Sequence, residues 1–165
     1  MLAKSMFPSA QVLLSDIDSA ALSLASENSQ IHLVDGIVRG DLLSWCKSCC
    51  VDIVLANPPY VDARDMQGLP AEYRHEPVSA LQGGDDGLNL VRVLLEDVAR
   101  ILRPTGLLIL EVGNSFEALD DLSDRLRPIW VELEQGGQGV AVFMAGDLAQ
   151  WVTSEDTVNP VVSAK

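Results

Sequence analysis

The chain has 165 residues, 48% of them hydrophobic and 21% charged, which is typical of about one globular domain with a hydrophobic core. Its net charge of −13 argues against a nucleic-acid substrate, because proteins that bind nucleic acids present basic patches that neutralise phosphates. The same charge is compatible with a strongly basic protein partner. The apolar runs are too short to cross a membrane, and the first residues do not resemble a signal peptide. We therefore expect a cytoplasmic protein without a membrane partner.

Three predicted strands in the first half of the chain each lead into a polar side chain. They are residues 11–15 before Asp16, residues 37–39 before Asp41, and residues 51–56 before Asn57. Residues 19–27 have apolar side chains at helical spacing and are predicted to form a helix. In parallel sheets, ligands bind beyond the carboxyl ends of the strands. We therefore expect Asp16, Asp41 and Asn57 to face one crevice.

The second half is predicted to contain a long loop, an amphipathic helix, a buried strand and a closing hairpin. The loop over 61–87 is long enough for a lid or a binding element. The helix is capped by Asp86 and is stopped by Pro104 and Gly106. Its apolar stripe consists of Leu88, Val91, Leu94, Leu95, Val98, Ile101 and Leu102. The strand covers 107–112, the hairpin pairs 131–134 with 140–144, and residues 151–165 are predicted to form a disordered tail.

This order of elements predicts an α/β fold. Strands that are nearly all apolar and alternate with helices are typical of a mostly parallel sheet whose two faces are both covered. The closing hairpin adds an antiparallel edge to the sheet. Residues 1–150 are expected to form one domain.

Three cysteines lie close together, at Cys46, Cys49 and Cys50. The spacing of the first two is compatible with zinc or redox chemistry. A zinc site needs about four ligands, however, and His32 and His75 each stand alone in the sequence. We interpret the cysteines as ordinary reduced thiols and expect no metal site.

The most informative segment is Asn57-Pro58-Pro59-Tyr60, at the end of an apolar strand. The two prolines fix φ and remove two backbone donors, so the turn presents carbonyl oxygens rigidly. Asn57 adds a side-chain acceptor, and Tyr60 adds an aromatic face with a hydroxyl. These groups suit a flat NH₂ group with two donors, either an amide or an aromatic amine. Hydrogen bonds to the Asn57 side chain and the Pro58 carbonyl would hold its nitrogen in line with a methyl donor.

Two further segments suggest a nucleotide-like cofactor. An acidic residue after the second strand of such sheets accepts hydrogen bonds from ribose hydroxyls, which Asp16 could do. Asp41 could accept a hydrogen bond from an adenine amino group, with Leu42 packed on the ring. Taken alone, an acidic residue after a strand is often a helix cap. The order of Asp16 and Asp41 relative to Asn57 favours the binding role.

The order of these motifs resembles the glutamine N5-methyltransferases, which modify glutamine side chains of peptide-release factors and of a ribosomal protein. The motifs are DID at 16–18, GDL at 40–42 and NPPY at 57–60. Four later segments resemble the PrmB-type branch, which methylates the large-subunit ribosomal protein L-three. These segments are EYRHEP at 72–77, GGDDGL at 83–88, EVGNS at 111–115, and the ending from Trp130 to Phe143. The resemblance covers about residues 7 to 145.

The resemblance implies a Rossmann-like sheet of the class I methyltransferases that use S-adenosyl-L-methionine, with a C-terminal β-hairpin. It implies methyl transfer to a glutamine amide nitrogen of a basic ribosomal protein, with no direct contact to nucleic acid. Residues 1–150 would then be a partial catalytic domain. The implied catalytic residues are Asn57, Pro58 and Tyr60, the implied substrate-binding residues are Asn57, Pro58, Pro59 and Tyr60, and the implied cofactor-binding residues are Asp16, Ile17, Asp41, Leu42 and Asn57.

Two parts of the family pattern have no counterpart. The family's Gly-rich loop belongs roughly twenty residues before the Asp16 position, yet this chain has no glycine before Gly36. The amino-terminal recognition domain is missing as well. Without the central first strand, neighbouring strands would leave edges open, and each buried unpaired backbone group costs about 1–3 kcal/mol. We therefore expect the chain as given to bind the cofactor poorly and to be weakly active.

Three alternative functions fit parts of the pattern. A release-factor glutamine methyltransferase shares the early motifs but differs after the glutamate-bearing strand. An adenine N6-methyltransferase could use the same NPPY turn on a flipped base, although the acidic charge favours a protein substrate. A non-catalytic fragment that binds a partner would account for the missing Gly-rich loop.

Overall fold

In the computed structural model, the described residues are 2–32, 34–62, 82–84, 86–122, 126–133 and 139–158. The chain divides into two compact units, Met1–Cys46 and Lys47–Lys165, named unit 1 and unit 2 below. The described elements combine helices with parallel strand pairs, which confirms the predicted α/β class.

Unit 1 contains two helices and a two-stranded parallel sheet. The helices are α1 (Leu2–Met6) and α2 (Ser19–His32), and the strands are β1 (Leu13–Asp16) and β2 (Gly36–Arg39). The strands pair from Leu13 opposite Gly36 to Asp16 opposite Arg39. Helix α2 extends further than the predicted 19–27, because no breaker interrupts it before Gly36.

An ion pair and a hydrogen bond from a backbone amide join three segments of unit 1. Lys4 Nζ lies 2.9 Å from a carboxylate oxygen of Asp35, and the same oxygen accepts a hydrogen bond from the Val12 amide at 2.8 Å. The Lys4 side chain, followed by the Val12 amide, lowers the pKa of Asp35. Asp35 therefore joins α1 and the start of β1 to the turn before β2.

Unit 2 is built on a four-stranded mixed sheet. Its strands are β3 (Val51–Ala56), β6 (Leu102–Glu111), β7 (Ile129–Trp130) and β8 (Val140–Met144), in the spatial order β3-β6-β8-β7. The β3–β6 pair is parallel and the other two pairs are antiparallel. Two short strands, β4 (Val61–Asp62) and β5 (Gln82–Gly84), pair separately. The helices are α3 (Asn89–Ile101), α4 (Phe116–Leu122) and α5 (Ala145–Val158).

One face of the unit 2 sheet forms the core. Val54, Leu108 and Phe143 occupy neighbouring strands at one level and are all buried. Helices α3 and α5 contact this sheet and each other. The whole predicted stripe of α3, from Leu88 to Leu102, is at most 4% exposed. The residues that the helical period of the sequence predicted to be buried are therefore buried in the structure.

The opposite face of the sheet carries exposed apolar side chains. Leu55 is 60% exposed, and its neighbours across the sheet are Ile109, Val142 and Ile129, the last 58% exposed. Ile53 is 54% exposed. The described part of unit 2 thus has one packed sheet face, whereas the sequence predicted cover on both.

Helix α3 ends at Ile101, before Pro104 and Gly106 as predicted, but the next strand begins at Leu102 and not at residue 107. Residues Cys49 and Cys50 donate backbone hydrogen bonds to the carbonyls of Arg100 and Ile101, at 3.1 and 2.9 Å. This contact draws the chain straight from α3 into β6, with Leu102 opposite Val51. Pro104 and Gly106 therefore lie inside β6, at a register shift, and do not form a separate turn.

The start of α3 differs from the prediction. Leu88 is the N-cap residue and makes no side-chain cap bond. Asp86 lies two residues earlier, where its carboxylate accepts the Leu88 amide at 3.0 Å and pairs with Arg92. The prediction that Asp86 caps the helix is therefore wrong, because the carboxylate closes a turn before the helix begins.

The closing hairpin is confirmed with a shifted first strand. β7 covers Ile129–Trp130, and Trp130 is opposite Ala141. Only one further backbone bond, from Val131 to Val140 at 2.9 Å, lies in the predicted range 131–134 among the described residues.

The C-terminal segment is helical where an irregular tail was predicted. Helix α5 runs from Ala145 to Val158, and Trp151 is only 4% exposed. Leu148 and Trp151 lie one turn apart on its buried side, so packing on α3 stabilises a helix that the sequence pattern alone did not indicate. Residues 159–165 lie outside the described part.

The described residues contain no helix that is both long and apolar enough to traverse a lipid bilayer.

Candidate functional site

The turn Asn57-Pro58-Pro59-Tyr60, called the acceptor turn below, follows β3 directly. Strand β3 ends at Ala56, which is opposite Leu110 on β6. Asn57 therefore comes beside Glu111 at the carboxyl ends of two parallel strands. A depression of about 260 Å³ opens at this edge of the sheet. It is lined by Leu55, Ala56, Asn57, Ile109, Glu111 and Val140.

The lining residues explain what the depression can bind. Leu55 and Ile109 belong to the open face of the sheet and give the depression an apolar surface. Asn57 and Glu111 are exposed at the ends of their strands and add polar groups. A few polar groups beside apolar walls are typical of small-ligand sites. This arrangement suits the flat end of an amide side chain.

Within the turn, the four residues differ in exposure. Asn57 is exposed, Pro58 is buried, and Pro59 and Tyr60 are half-buried. The prolines restrict the backbone between a fixed strand end and a packed tyrosine. The structure therefore places Asn57 as the accessible side chain of the turn.

A short 3₁₀ helix after β6 packs against Tyr60. This helix, Gly113–Ser115, has the Ser115 hydroxyl donating to the Tyr60 carbonyl oxygen at 2.7 Å. Gly113 has φ +47°, and a Cβ added there would lie 2.7 Å from Cζ of the Tyr60 ring. A side chain at Gly113 would thus collide with the ring and would also require the left-handed region.

The loop before α3 forms the third side of this packing. Gly87 has φ +77°, and a Cβ added there would contact both the Tyr60 carbonyl oxygen and the Ser115 hydroxyl. The neighbouring Asp86 pairs with Arg92 through two bonds, at 2.5 and 3.1 Å. Hydrogen bonding from Arg92 lowers the pKa of Asp86 to about 2, and burial opposes the shift only in part. The ion pair therefore fixes Gly87 against the acceptor turn.

The other predicted site residues lie in unit 1. The Gly40 amide donates to the Asp16 carbonyl at 3.0 Å, and Arg39 Nε donates to the Ile17 carbonyl at 3.2 Å. The segments that follow β1 and β2 are therefore in contact. The carboxylate of Asp16 accepts the Asp18 amide at 2.8 Å, and the residue is exposed.

The GDL segment forms a tight turn. Asp41 is exposed, and its carbonyl accepts hydrogen bonds from the amide and the hydroxyl of Ser44, at 3.3 and 2.9 Å. Leu42 has φ +45° and is half-buried. The Trp45 indole donates to the Leu42 carbonyl at 3.1 Å. The assignment of these residues to the ribose and adenine of a nucleoside cofactor stays a prediction.

The predicted meeting of all three strand-end residues stays a prediction. Asp16 and Asp41 belong to unit 1 and Asn57 belongs to unit 2. Within unit 1, the segments that contain Asp16 and Asp41 are in contact.

Glu111 lines the depression and Ser115 contacts Tyr60, but sequence analysis assigned neither residue to the site. Glu111 ends an apolar strand, the same signal that pointed to Asp16 and Asn57, so the rule for strand ends could have found it. Ser115 had no such signal, because its contact with Tyr60 joins residues 55 positions apart. Among the described residues, no group of three or more His, Cys, Asp or Glu side chains is placed to hold a metal ion.

Together, these features are those of an α/β fold with polar residues at the carboxyl ends of parallel strands, as the sequence predicted. The chain is similar to proteins named ribosomal protein uL3 glutamine methyltransferase from three organisms. Identity is 34% over 149 residues with that of Francisella tularensis subsp. tularensis. It is 40% over 151 residues for Bradyrhizobium diazoefficiens and 36% over 146 residues for Bordetella pertussis. These matches confirm the resemblance to glutamine methyltransferases of the L-three branch.

The matches cover most of this chain but only about half of each relative. They include 87–90% of this chain but 47–49% of each relative, so the chain spans about half the length of the curated relatives it matches. No family model matches the chain. Among solved structures, the PH0226 protein from Pyrococcus horikoshii OT3 aligns with a TM-score of 0.46 and 15% identity, over 89% of this chain and 63% of that one.

Proposed function

We propose that this chain carries the acceptor half of the active site of a methyltransferase that modifies a glutamine side chain of ribosomal protein uL3. The observation that supports this most is the exposed Asn57 on a proline-fixed turn, at the rim of a depression with apolar walls. The names of the relatives favour a glutamine of this ribosomal protein over a release factor or an adenine base.

In this proposal, the turn binds and orients the target amide. One N–H of the glutamine amide donates to the Asn57 side-chain oxygen and the other donates to the Pro58 carbonyl. The nitrogen lone pair is delocalised and therefore a poor nucleophile, so orientation must supply much of the rate, up to roughly 7–11 kcal/mol in well-positioned systems. The apolar surfaces of Leu55 and Ile109 hold the methylene groups of the side chain.

The proton balance requires no strong base. The amide nitrogen would form a bond to the methyl carbon as the bond from that carbon to the sulfonium sulfur of the donor breaks, and the bonding electrons would stay on the sulfur of the departing thioether. The nitrogen becomes acidic as it gains the methyl group. It then releases one of its two protons to water, and the amide regains its conjugation. The two hydrogen bonds hold both N–H groups until that moment.

S-adenosyl-L-methionine would supply the electrophilic methyl group. We assign its ribose to the Asp16 carboxylate, with Ile17 beside it, and its adenine to Asp41 and Leu42. Asn57 is the residue that belongs to both the cofactor set and the substrate set. The exposed carboxylates after β1 and β2 support this assignment.

The partner in this proposal is a basic protein. A net charge of −13 favours association with a basic ribosomal protein and opposes direct nucleic-acid binding. A protein that modifies ribosomal proteins would act in the cytoplasm.

The test is a methylation assay with purified uL3, in which mass spectrometry identifies the modified residue. Two proteins are assayed: the chain alone, and a chimera in which the chain replaces its matching segment in the Bradyrhizobium diazoefficiens relative. We expect the chimera to methylate one glutamine. Asn57→Ala should lower its rate at least about a hundredfold through misplacement of the amide.

Asn28→Ala is the matched control, because Asn28 is an exposed asparagine on α2. It should leave the rate unchanged. A folded chimera that methylates no glutamine would refute the proposal, and methylation of an adenine oligonucleotide in its place would support the alternative substrate.

A further inference from the structure

Ser115 is a buried polar side chain outside the predicted site, and it contacts the acceptor turn directly. It is only 8% exposed, and its hydroxyl donates to the Tyr60 carbonyl oxygen at 2.7 Å. A hydrogen bond at this distance has good geometry, and burial protects it from competition with water.

We propose that Ser115 is a positioning residue that sets the orientation of the Asn57–Tyr60 turn. The role rests on the proposed function, since the turn is what binds the glutamine amide there. Ser115 does not touch the amide in this scheme and acts through Tyr60.

The argument starts from how the turn is fixed at its two ends. Strand β3 fixes the Asn57 end through its ladder with β6. The prolines fix their own φ angles but leave the ψ angle of Pro59 free to change. The Ser115 bond holds the peptide carbonyl of Tyr60 and so removes the remaining freedom at the far end. A turn held at both ends presents the Asn57 side chain and the Pro58 carbonyl at a constant separation.

Close packing on two sides keeps Tyr60 in its place between the neighbouring loops. Gly87 approaches both this oxygen and the Ser115 hydroxyl so closely that a Cβ there would collide with them. The Tyr60 ring lies against Gly113. Loss of the Ser115 hydroxyl therefore changes the orientation of the turn with little effect on its place between the loops.

The experiment follows Tyr60 and catalysis in the same variants. The sequence has two tyrosines, Tyr60 and Tyr73, so fluorotyrosine labelling of the chain gives two fluorine signals, which Tyr73→Phe assigns. Ser115→Ala should shift the Tyr60 signal. In the methylating chimera, it should lower kcat about ten- to a hundredfold while the Kd for S-adenosyl-L-methionine stays within twofold.

Ser154→Ala is the matched control. The Ser154 hydroxyl also donates to a backbone carbonyl, that of Trp151, at 2.7 Å, but within helix α5. It should leave the Tyr60 signal and kcat unchanged.

The outcomes separate this proposal from the proposed function. An unshifted Tyr60 signal overturns the role of Ser115, as does a shifted signal with an unchanged kcat. If the unmutated chimera methylates nothing, the proposed function fails, and the Tyr60 signal alone decides whether Ser115 orients the turn.

Discussion

Gly113→Ala offers the sharpest test of how the loops pack around the acceptor turn. Gly113 has φ +47°, and a left-handed conformation costs a residue with a Cβ about 1–2 kcal/mol. The added Cβ would also lie 2.7 Å from Cζ and 3.0 Å from the hydroxyl of Tyr60. Overpacking of this kind costs about 1–3 kcal/mol. The free energy of unfolding should therefore fall by about 2–5 kcal/mol.

The measurement is urea unfolding followed by tryptophan fluorescence. The three tryptophans are Trp45 in unit 1 and Trp130 and Trp151 in unit 2. A Trp45→Phe background makes the signal report on unit 2, where Gly113 lies. The slope of free energy against urea should stay constant, which shows that stability and not compactness has changed.

Gly146→Ala is the matched control. Gly146 lies in helix α5, and a Cβ added there meets nothing within 4 Å. Alanine is favoured over glycine in a helix by about 0.5–1 kcal/mol, so this variant should be stabilised. If Gly113→Ala unfolds at the same urea concentration as the unmodified protein, the ring does not occupy the space beside Gly113 and the packing argument is wrong.

Two further predictions concern the loop before α3 and the core of unit 2. The pKa of Asp86 is lowered to about 2 in the folded state, so its ion pair with Arg92 contributes stability above the unfolded pKa near 4, and this is lost as the pH falls towards 2. Because both side chains are more than a third exposed, we expect Asp86→Asn to cost only about 1 kcal/mol at pH 7, and a deficit at pH 2 as large as that at pH 7 in urea unfolding would contradict the ion-pair explanation. Phe143→Ala should cost about 3–5 kcal/mol because Phe143 is fully buried. Ile129→Ala, at a position 58% exposed on the same sheet, should cost far less, and equal losses would show that the assignment of the packed face is wrong.

Much of the fold could be predicted because periodicity and burial agree locally. Strand β3 has the predicted bounds, 51–56, since a short apolar run with a proline pair behind it leaves few alternatives. The stripe of α3 was predicted in full for the same reason. Helix α5 was missed because its buried residues, Leu148 and Trp151, are few and their partner helix is distant in sequence.

The predicted site also has a part that local sequence patterns locate and a part that depends on long-range contacts. The motifs at Asp16, Asp41 and Asn57 each follow a strand, so a local rule locates them. The contacts that fix the turn are long-range, from Ser115 and Gly87 to Tyr60, and no spacing rule in the sequence connects those positions. The early start of β6 could not be predicted either, because the hydrogen bonds from Cys49 and Cys50 hold the end of α3 where β6 begins.

The open sheet face has a consequence for the behaviour of the chain in solution. In the described part of unit 2, β3 is the terminal strand of its sheet, and Ile53 and Leu55 are more than half exposed on it. Apolar surface next to a strand edge is a template for association between molecules. Mutual repulsion from a net charge of −13 is what opposes that association. High salt screens this repulsion, and a pH near the isoelectric point of 4.3 removes it. Colloidal stability of this protein is therefore greatest at low ionic strength and neutral pH.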